Sequence, residues 1–89
     1  MDFEDKILKI YRNRFNDEDL FYHLIERIEI HMDKLRNLKK DKNDKEKFLK
    51  EVADVYLLSK VLMRLEKVSQ QTIEESSEYY LSKIKGLFD

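Results

Sequence analysis

The chain has no cysteine, no proline and a single glycine, Gly86. Without cysteine, neither a disulfide nor a thiolate metal site can staple the fold. Without proline and with one glycine, the turn residues that a β-rich fold needs between short strands are missing. One glycine also rules out a glycine-rich phosphate loop, so any phosphate binding must go through side chains and metal rather than a backbone cradle. No apolar run approaches the length needed to span a bilayer, so no membrane partner is expected. The N-terminus lacks a basic segment followed by an apolar core. No signal peptide is therefore expected, and a cytoplasmic location follows by default.

What is present is charge and helical periodicity. Charged residues make up 42% of the 89 residues, yet the formal net charge is only −1, because the two signs are interleaved. No basic block stands out that would neutralise a row of phosphates, so duplex nucleic acid is not expected as a partner. The short run Lys39-Lys40-Asp41-Lys42 reads as a solvated loop. A single domain over residues 1–89 is expected. A chain this short buries only about 60–65% of its unfolded surface, so extra burial is expected from a partner, most simply a second copy of the chain.

Apolar residues recur at spacings of three and four, the helical period. The pattern predicts four helices. The first runs from about Phe3 to Arg14, with Phe3, Ile7, Ile10 and Tyr11 on one face. Asn16 is a natural N-cap for the second, with Asp17, Glu18 and Asp19 complementing its positive end. That helix runs to about Lys39 and carries Phe21, Leu24, Ile25, Ile28, Met32, Leu35 and Leu38 on its apolar face. Asn43 with Glu46 resembles a capping pair for a third helix over about Asp44 to Val68. Ser69 or Thr72 caps a fourth, with Ile73, Tyr80, Leu81, Ile84 and Leu87 on one side and Gly86 marking its end. The expected fold is all-α: a long antiparallel helical hairpin, a shorter helix at each end, and completion by dimerisation.

Two residues break the pattern of the third helix. On a wheel of about 100° per residue, Phe48, Val55, Leu58, Val61, Leu62 and Leu65 form one apolar arc. Glu51 falls beside Leu58 and Leu62, and Asp54 between Val61 and Leu65. A spacing of three puts both acids on one face, one turn apart. A buried carboxylate is costly unless neutralised. It can line a wet seam, pair with a base from another helix, or bind a hard divalent cation such as Mg²⁺ or Mn²⁺. Glu26 and Glu29 form a second pair at the same spacing on the second helix, in a stripe with Tyr22 and Asp33 that lies away from the apolar face. Alone it reads as solvated. An antiparallel hairpin can bring both pairs to one level, where four carboxylates would repel without cations.

The pattern Glu26-x-x-Glu29, twenty-one residues, then Glu51-x-x-Asp54 resembles the metal-binding signature of the MazG-like, all-α nucleoside triphosphate pyrophosphohydrolases. The run Glu51-Val52-Ala53-Asp54-Val55 is its most typical piece. The apolar helix to Leu65 and the stretch Val68-Ser69-Gln70-Gln71-Thr72-Ile73-Glu74-Glu75 opening a final helix also fit, so the resemblance covers roughly residues 20–84. It implies that Glu26, Glu29, Glu51 and Asp54 hold Mg²⁺, or Mn²⁺, against the phosphates of a nucleoside triphosphate. Water attack then gives a monophosphate and pyrophosphate, with Glu29 and Glu51 placed to orient or deprotonate the water. It further implies a homodimer or homotetramer. The chain departs from the family in lacking the lysine before the first acidic pair and the doubled glutamate within it; that region reads Tyr22-His23-Leu24-Ile25-Glu26. Lys83 and Lys85 loosely represent basic residues near the family's C-terminus. Phosphoribosyl-ATP pyrophosphohydrolase has a similar length and acidic pattern, but its N-terminal region is not matched here.

Tyr22 and His23 lie near the first acid, where they could contact a base or phosphate; His23 sits beside the apolar arc and Tyr22 on the solvated stripe, and the structural reading of both is the more common one. His31, within the arc, reads as packing. Lys83 is the remaining substrate-binding candidate. The alternative to an enzyme is a helical interaction or regulatory module, a degenerate relative in which the acids are structural.

Overall fold

Four short polar side chains open the four helices. The computed structural model describes residues 2–41 and 44–88, and these form α1 (Phe3–Arg12), α2 (Asp17–Lys40), α3 (Lys45–Leu65) and α4 (Gln70–Phe88), with no strand among them. The Asp2 carboxylate accepts from the Asp5 N–H at 2.9 Å, Asn16 from Asp19 at 2.8 Å, Asp44 from Lys47 at 3.0 Å and the Ser69 hydroxyl from Thr72 at 3.1 Å. Each satisfies an amide that a helix start leaves without a partner. The backbone hydrogen bond from Asp5, aided by Glu4 and by Arg64, holds the Asp2 carboxyl below the ordinary carboxylate range despite some desolvation. Asn16 and Ser69 cap where the sequence places them. The cap of α3 is Asp44, while Asn43 lies outside the described residues.

Three helix ends differ from expectation. α1 stops at Arg12 rather than about Arg14, where the Arg14 and Phe15 amides both turn back to the Tyr11 carbonyl. α3 stops at Leu65 rather than Val68. The Val68 N–H donates to the Met63 carbonyl at 3.0 Å and the Lys67 N–H to the Arg64 carbonyl at 3.2 Å, with Lys67 left-handed at φ 56°. This paired arrangement terminates helices and usually recruits glycine; here a lysine adopts it. α4 does not end at Gly86 but runs to Phe88. A Cβ at Gly86 would meet nothing within 4 Å, so no close approach demands glycine there.

α2 and α3 form the main packed pair, and α1 lies against both. Lys39 near the end of α2 sits over the Phe48 ring near the start of α3, 5.3 Å from its centroid, and Leu20 and Leu24 pack with Val61 and Leu65 at the other end. α1 covers only that second end. Its Leu8 joins those four in the buried core, flanked by Ile7, Tyr11, Phe15, Phe21, Leu58 and Leu62. The expected face of α1 is thereby rotated. Phe3 and Ile10 are exposed, while Glu4 turns inward and pairs with Lys60 of α3. That pairing, with burial opposing it, raises the Lys60 pKa above its ordinary value. Arg64 adds ion pairs to Asp2 at 2.9 Å and Asp5 at 3.6 Å. Among the described residues α4 has no buried residue and approaches the other helices only at its start, where Gln70 and Ile73 border a cleft with Glu4, Lys60, Met63 and Arg64. Its expected apolar face is largely unburied: only Ile73 and Ile84 are half-buried. No described helix is long and apolar enough to cross a membrane.

Candidate metal centre

Beyond the end covered by α1, the α2–α3 pair opens. Leu35, Phe48 and Val52 line an apolar groove there, and Leu49 and Val52 are exposed. Glu51 and Asp54 lie along this transition. The Glu51 side chain is 15% exposed, as the apolar arc predicts, whereas Asp54 is 51% exposed. The wheel puts Asp54 between Val61 and Leu65, but those residues are buried only because α1 and the start of α2 reach them. Asp54 sits farther up α3, where that cover has ended.

The partner that meets Glu51 is His31 of α2. Its Nδ1 lies 2.5 Å from Glu51 Oε2 and 3.9 Å from Asp54 Oδ2. The other ring nitrogen, Nε2, is 3.4 Å from Arg27 Nη2. A guanidinium can only donate, so Nε2 accepts, and Nδ1 carries the proton that it donates to Glu51. Arg27 and His31, four apart, share one face of α2. The chain thus satisfies its half-buried carboxylate with an imidazole N–H, a partner from twenty residues earlier. Reading His31 as a packing residue missed this. The signal was present, since His31 is a polar residue inside an apolar arc, the same anomaly that singled out Glu51.

His31, Glu51 and Asp54 each present one ligand atom within 4.8 Å of the others, the sole such group of three or more His, Asp or Glu side chains among the described residues. Glu26 and Glu29 are not part of it. Both are exposed on α2, on the stripe that the wheel separates from its apolar face. The substrate-binding candidates are also spread apart. The Tyr22 side chain is exposed and meets Phe21 edge-on at 5.2 Å. His23 is stacked on Phe15 at 4.6 Å and meets Tyr11 edge-on at 5.3 Å, in an aromatic cluster against α1. Lys83 is carried away on α4.

The centre is a small polar notch where a packed helix pair becomes an open one. Two carboxylates offer hard oxygen donors, and an N–H from His31 fixes one oxygen of Glu51. Ligating carboxylates in metal sites are commonly oriented by such a hydrogen bond. Compared with family models, with curated proteins and with solved structures, the chain matches none.

Proposed function

We propose that the chain is a divalent-metal-dependent nucleotide pyrophosphohydrolase of the MazG-like class, built on an antiparallel α2–α3 hairpin and working as a homodimer or homotetramer. The observation that carries this reading is the meeting of Glu51 and Asp54 with His31 at the open end of the helix pair. The residues fit a hard cation: the carboxylate oxygens of Glu51 and Asp54 suit Mg²⁺ and Mn²⁺, while His31, with Nδ1–H engaged by Glu51 and Nε2 by Arg27, orients the ligands rather than coordinating. When bound, the cation would neutralise triphosphate charge and polarise the scissile phosphoryl group. The chain's own residues have narrower roles. Glu51 and Asp54 hold the ion, His31 orients Glu51 through Nδ1–H, and Arg27 fixes the tautomer that makes this donation possible. Glu29 and Glu26 stand ready on α2 as further acids, with Glu29 and Glu51 the candidates to position the attacking water. Tyr22, His23 and Lys83 are the proposed substrate contacts.

A panel of standard and modified nucleoside triphosphates with Mg²⁺ or Mn²⁺ tests the reading. The expected result is pyrophosphate release, abolished in Glu51→Gln. Release from none of them, with Glu51→Gln indistinguishable from the parent in metal binding, overturns it.

A second reading is favoured by the exposure of Glu26 and Glu29 outside the cluster. In it the chain is a helical interaction module, and the His31–Glu51 bond is structural. Divalent metal then leaves the melting temperature unchanged, and Asp54→Asn is neutral.

A further inference from the structure

α4 leaves most of its length without a neighbouring helix among the described residues. Isolated helices of about this length are marginal in water, because nucleation is costly and packing supplies most helical stability. Yet among the described residues α4 meets the rest of the chain only at its start, where Gln70 and Ile73 share a cleft with Glu4 of α1 and with Lys60, Met63 and Arg64 of α3, and its remaining length stands clear. Tyr80 is 62% exposed and Leu87 69%. The surplus surface is measurable for the whole chain. It exposes 7477 Å², against about 5,600 Å² for a compact monomer of this mass. Its radius of gyration is 15.8 Å, against about 12 Å for a compact chain of this length. The excess of about 1,900 Å² is shared between α4 and the open end of the α2–α3 pair, where Leu49, Val52 and Tyr56 are exposed, and it leaves room for an interface of the roughly 1,000–2,500 Å² that a permanent pair removes from each partner.

The stripe on α4 has the spacing of a two-helix seam. Ile73, Ser77, Tyr80, Ile84 and Leu87 alternate steps of four and three, the repeat that keeps one edge of a helix facing a partner helix. Ser77, the polar member, donates its hydroxyl to the Ile73 carbonyl at 2.7 Å, so it can enter an apolar seam without an unsatisfied group. Charge sets the direction. Glu74, Glu75 and Glu78 lie in the first half of the helix and Lys83 and Lys85 in the second. Parallel pairing would stack like on like, whereas antiparallel pairing brings opposite signs together.

We propose that α4 is a self-pairing arm: two copies of the chain join through their α4 helices, antiparallel about a two-fold axis at Tyr80. Such a contact is self-complementary. Tyr80 meets its symmetry mate, Ile73 faces the partner's Leu87, and Ser77 makes room for the partner's Ile84. The oligomer under the functional reading gains here a specific element and direction, but the pairing rests on α4 alone and does not require the chain to hydrolyse anything.

Because the chain has no cysteine, crosslinking reads out direction cleanly. The full chain is expected to sediment as a dimer at micromolar concentration. Tyr80→Glu, which places two like charges together at the axis, is expected to weaken the dimer by about 100-fold or more. On oxidation, an equimolar mixture of Ile73→Cys and Leu87→Cys should form a mixed disulfide dimer, while each variant alone stays largely uncrosslinked. A monomeric parent chain, a dimer indifferent to Tyr80→Glu, or efficient self-crosslinking of Leu87→Cys would overturn the proposal. The first would mean that α4 folds onto its own bundle, the second that another surface joins the copies, and the third that the helices run parallel. Pyrophosphate release is scored separately, so an active monomer sinks the arm and the oligomer of the functional reading while leaving the hydrolytic activity standing.

Discussion

The two ends of the α2–α3 pair share their helices and differ in what covers them. At the end closed by α1, Leu20, Leu24 and Val61 are fully buried, and even a charged residue, Glu4, is drawn inside with Lys60 as its partner. At the other end Leu35 and Phe48 are only half-buried, Val52 is exposed, and the polar notch of His31, Glu51 and Asp54 stays within reach of solvent. A third helix over a helix pair makes a core; its absence leaves a notch open to solvent. A carboxylate in the covered half has to be matched by a cation of the chain's own. In the uncovered half the hydrogen bond from the His31 imidazole N–H holds Glu51, and Asp54 remains exposed to solvent.

Cavity mutants probe this difference most strongly. Leu24→Ala should lower unfolding stability by about 3 kcal/mol, the usual cost of emptying a packed leucine site. Leu35→Ala in the open half should cost less than about 1 kcal/mol, because its surroundings are already wet. Similar midpoints in urea for the two variants would erase the contrast. The next effect in size is a gain. At a concentration of Mn²⁺ or Mg²⁺ about 100 times its dissociation constant, stability should rise by about 2.7 kcal/mol. Glu51→Gln and Asp54→Asn should each abolish that rise, whereas Glu4→Gln, in the covered half, should keep it. A melting temperature blind to metal in the parent chain would assign the notch a structural role only.

Breaking the inner ion pair comes next. Lys60→Met leaves the Glu4 carboxylate inside without its charged donor and should lower the urea midpoint, by less than Leu24→Ala does. The pH dependence follows from the sign of the shift. The folded Lys60 pKa lies above its unfolded value of 10.5. The pair's contribution is therefore complete below that value and is lost as pH rises through the higher folded pKa. An alkaline loss of stability seen in the parent chain should be blunted in Lys60→Met, and identical alkaline profiles would place the pair elsewhere. The smallest effect falls outside both ends. Lys67→Gly relieves a left-handed lysine and should stabilise by about 0.5–1 kcal/mol; a loss instead would show that the Lys67 side chain makes a contact of its own.

Much of this was legible from residue order. Asn16 and Ser69 marked helix starts because a short polar side chain before a periodic segment can reach an amide three residues on. Glu51 was legible as an anomaly, an acid inside an apolar arc, and it is indeed half-buried. His31 was harder to read, because its meaning depends on a residue twenty positions away on another helix. Glu4 was harder still: a charged residue in a first turn reads as solvated, and only Lys60, far along the chain, makes its burial tolerable. Phe3 and Ile10 misled for the converse reason, since spacing marks a stripe as apolar without saying which stripe finds a neighbour.

The sequence by itself determined the four helices, because capping, periodicity and the scarcity of glycine and proline are local properties that each segment carries with it. It also determined which residues were out of place, Glu51 foremost. The tertiary structure decided which apolar faces were covered, and by what. α1 closes one end of the α2–α3 pair and leaves His31, Glu51 and Asp54 at the edge of the other, while most of α4's stripe finds no covering helix among the described residues. The physical reason is that a helical pattern records a demand for burial, whereas burial itself is a property of pairs of elements, set by the turns between them and by the surfaces within reach.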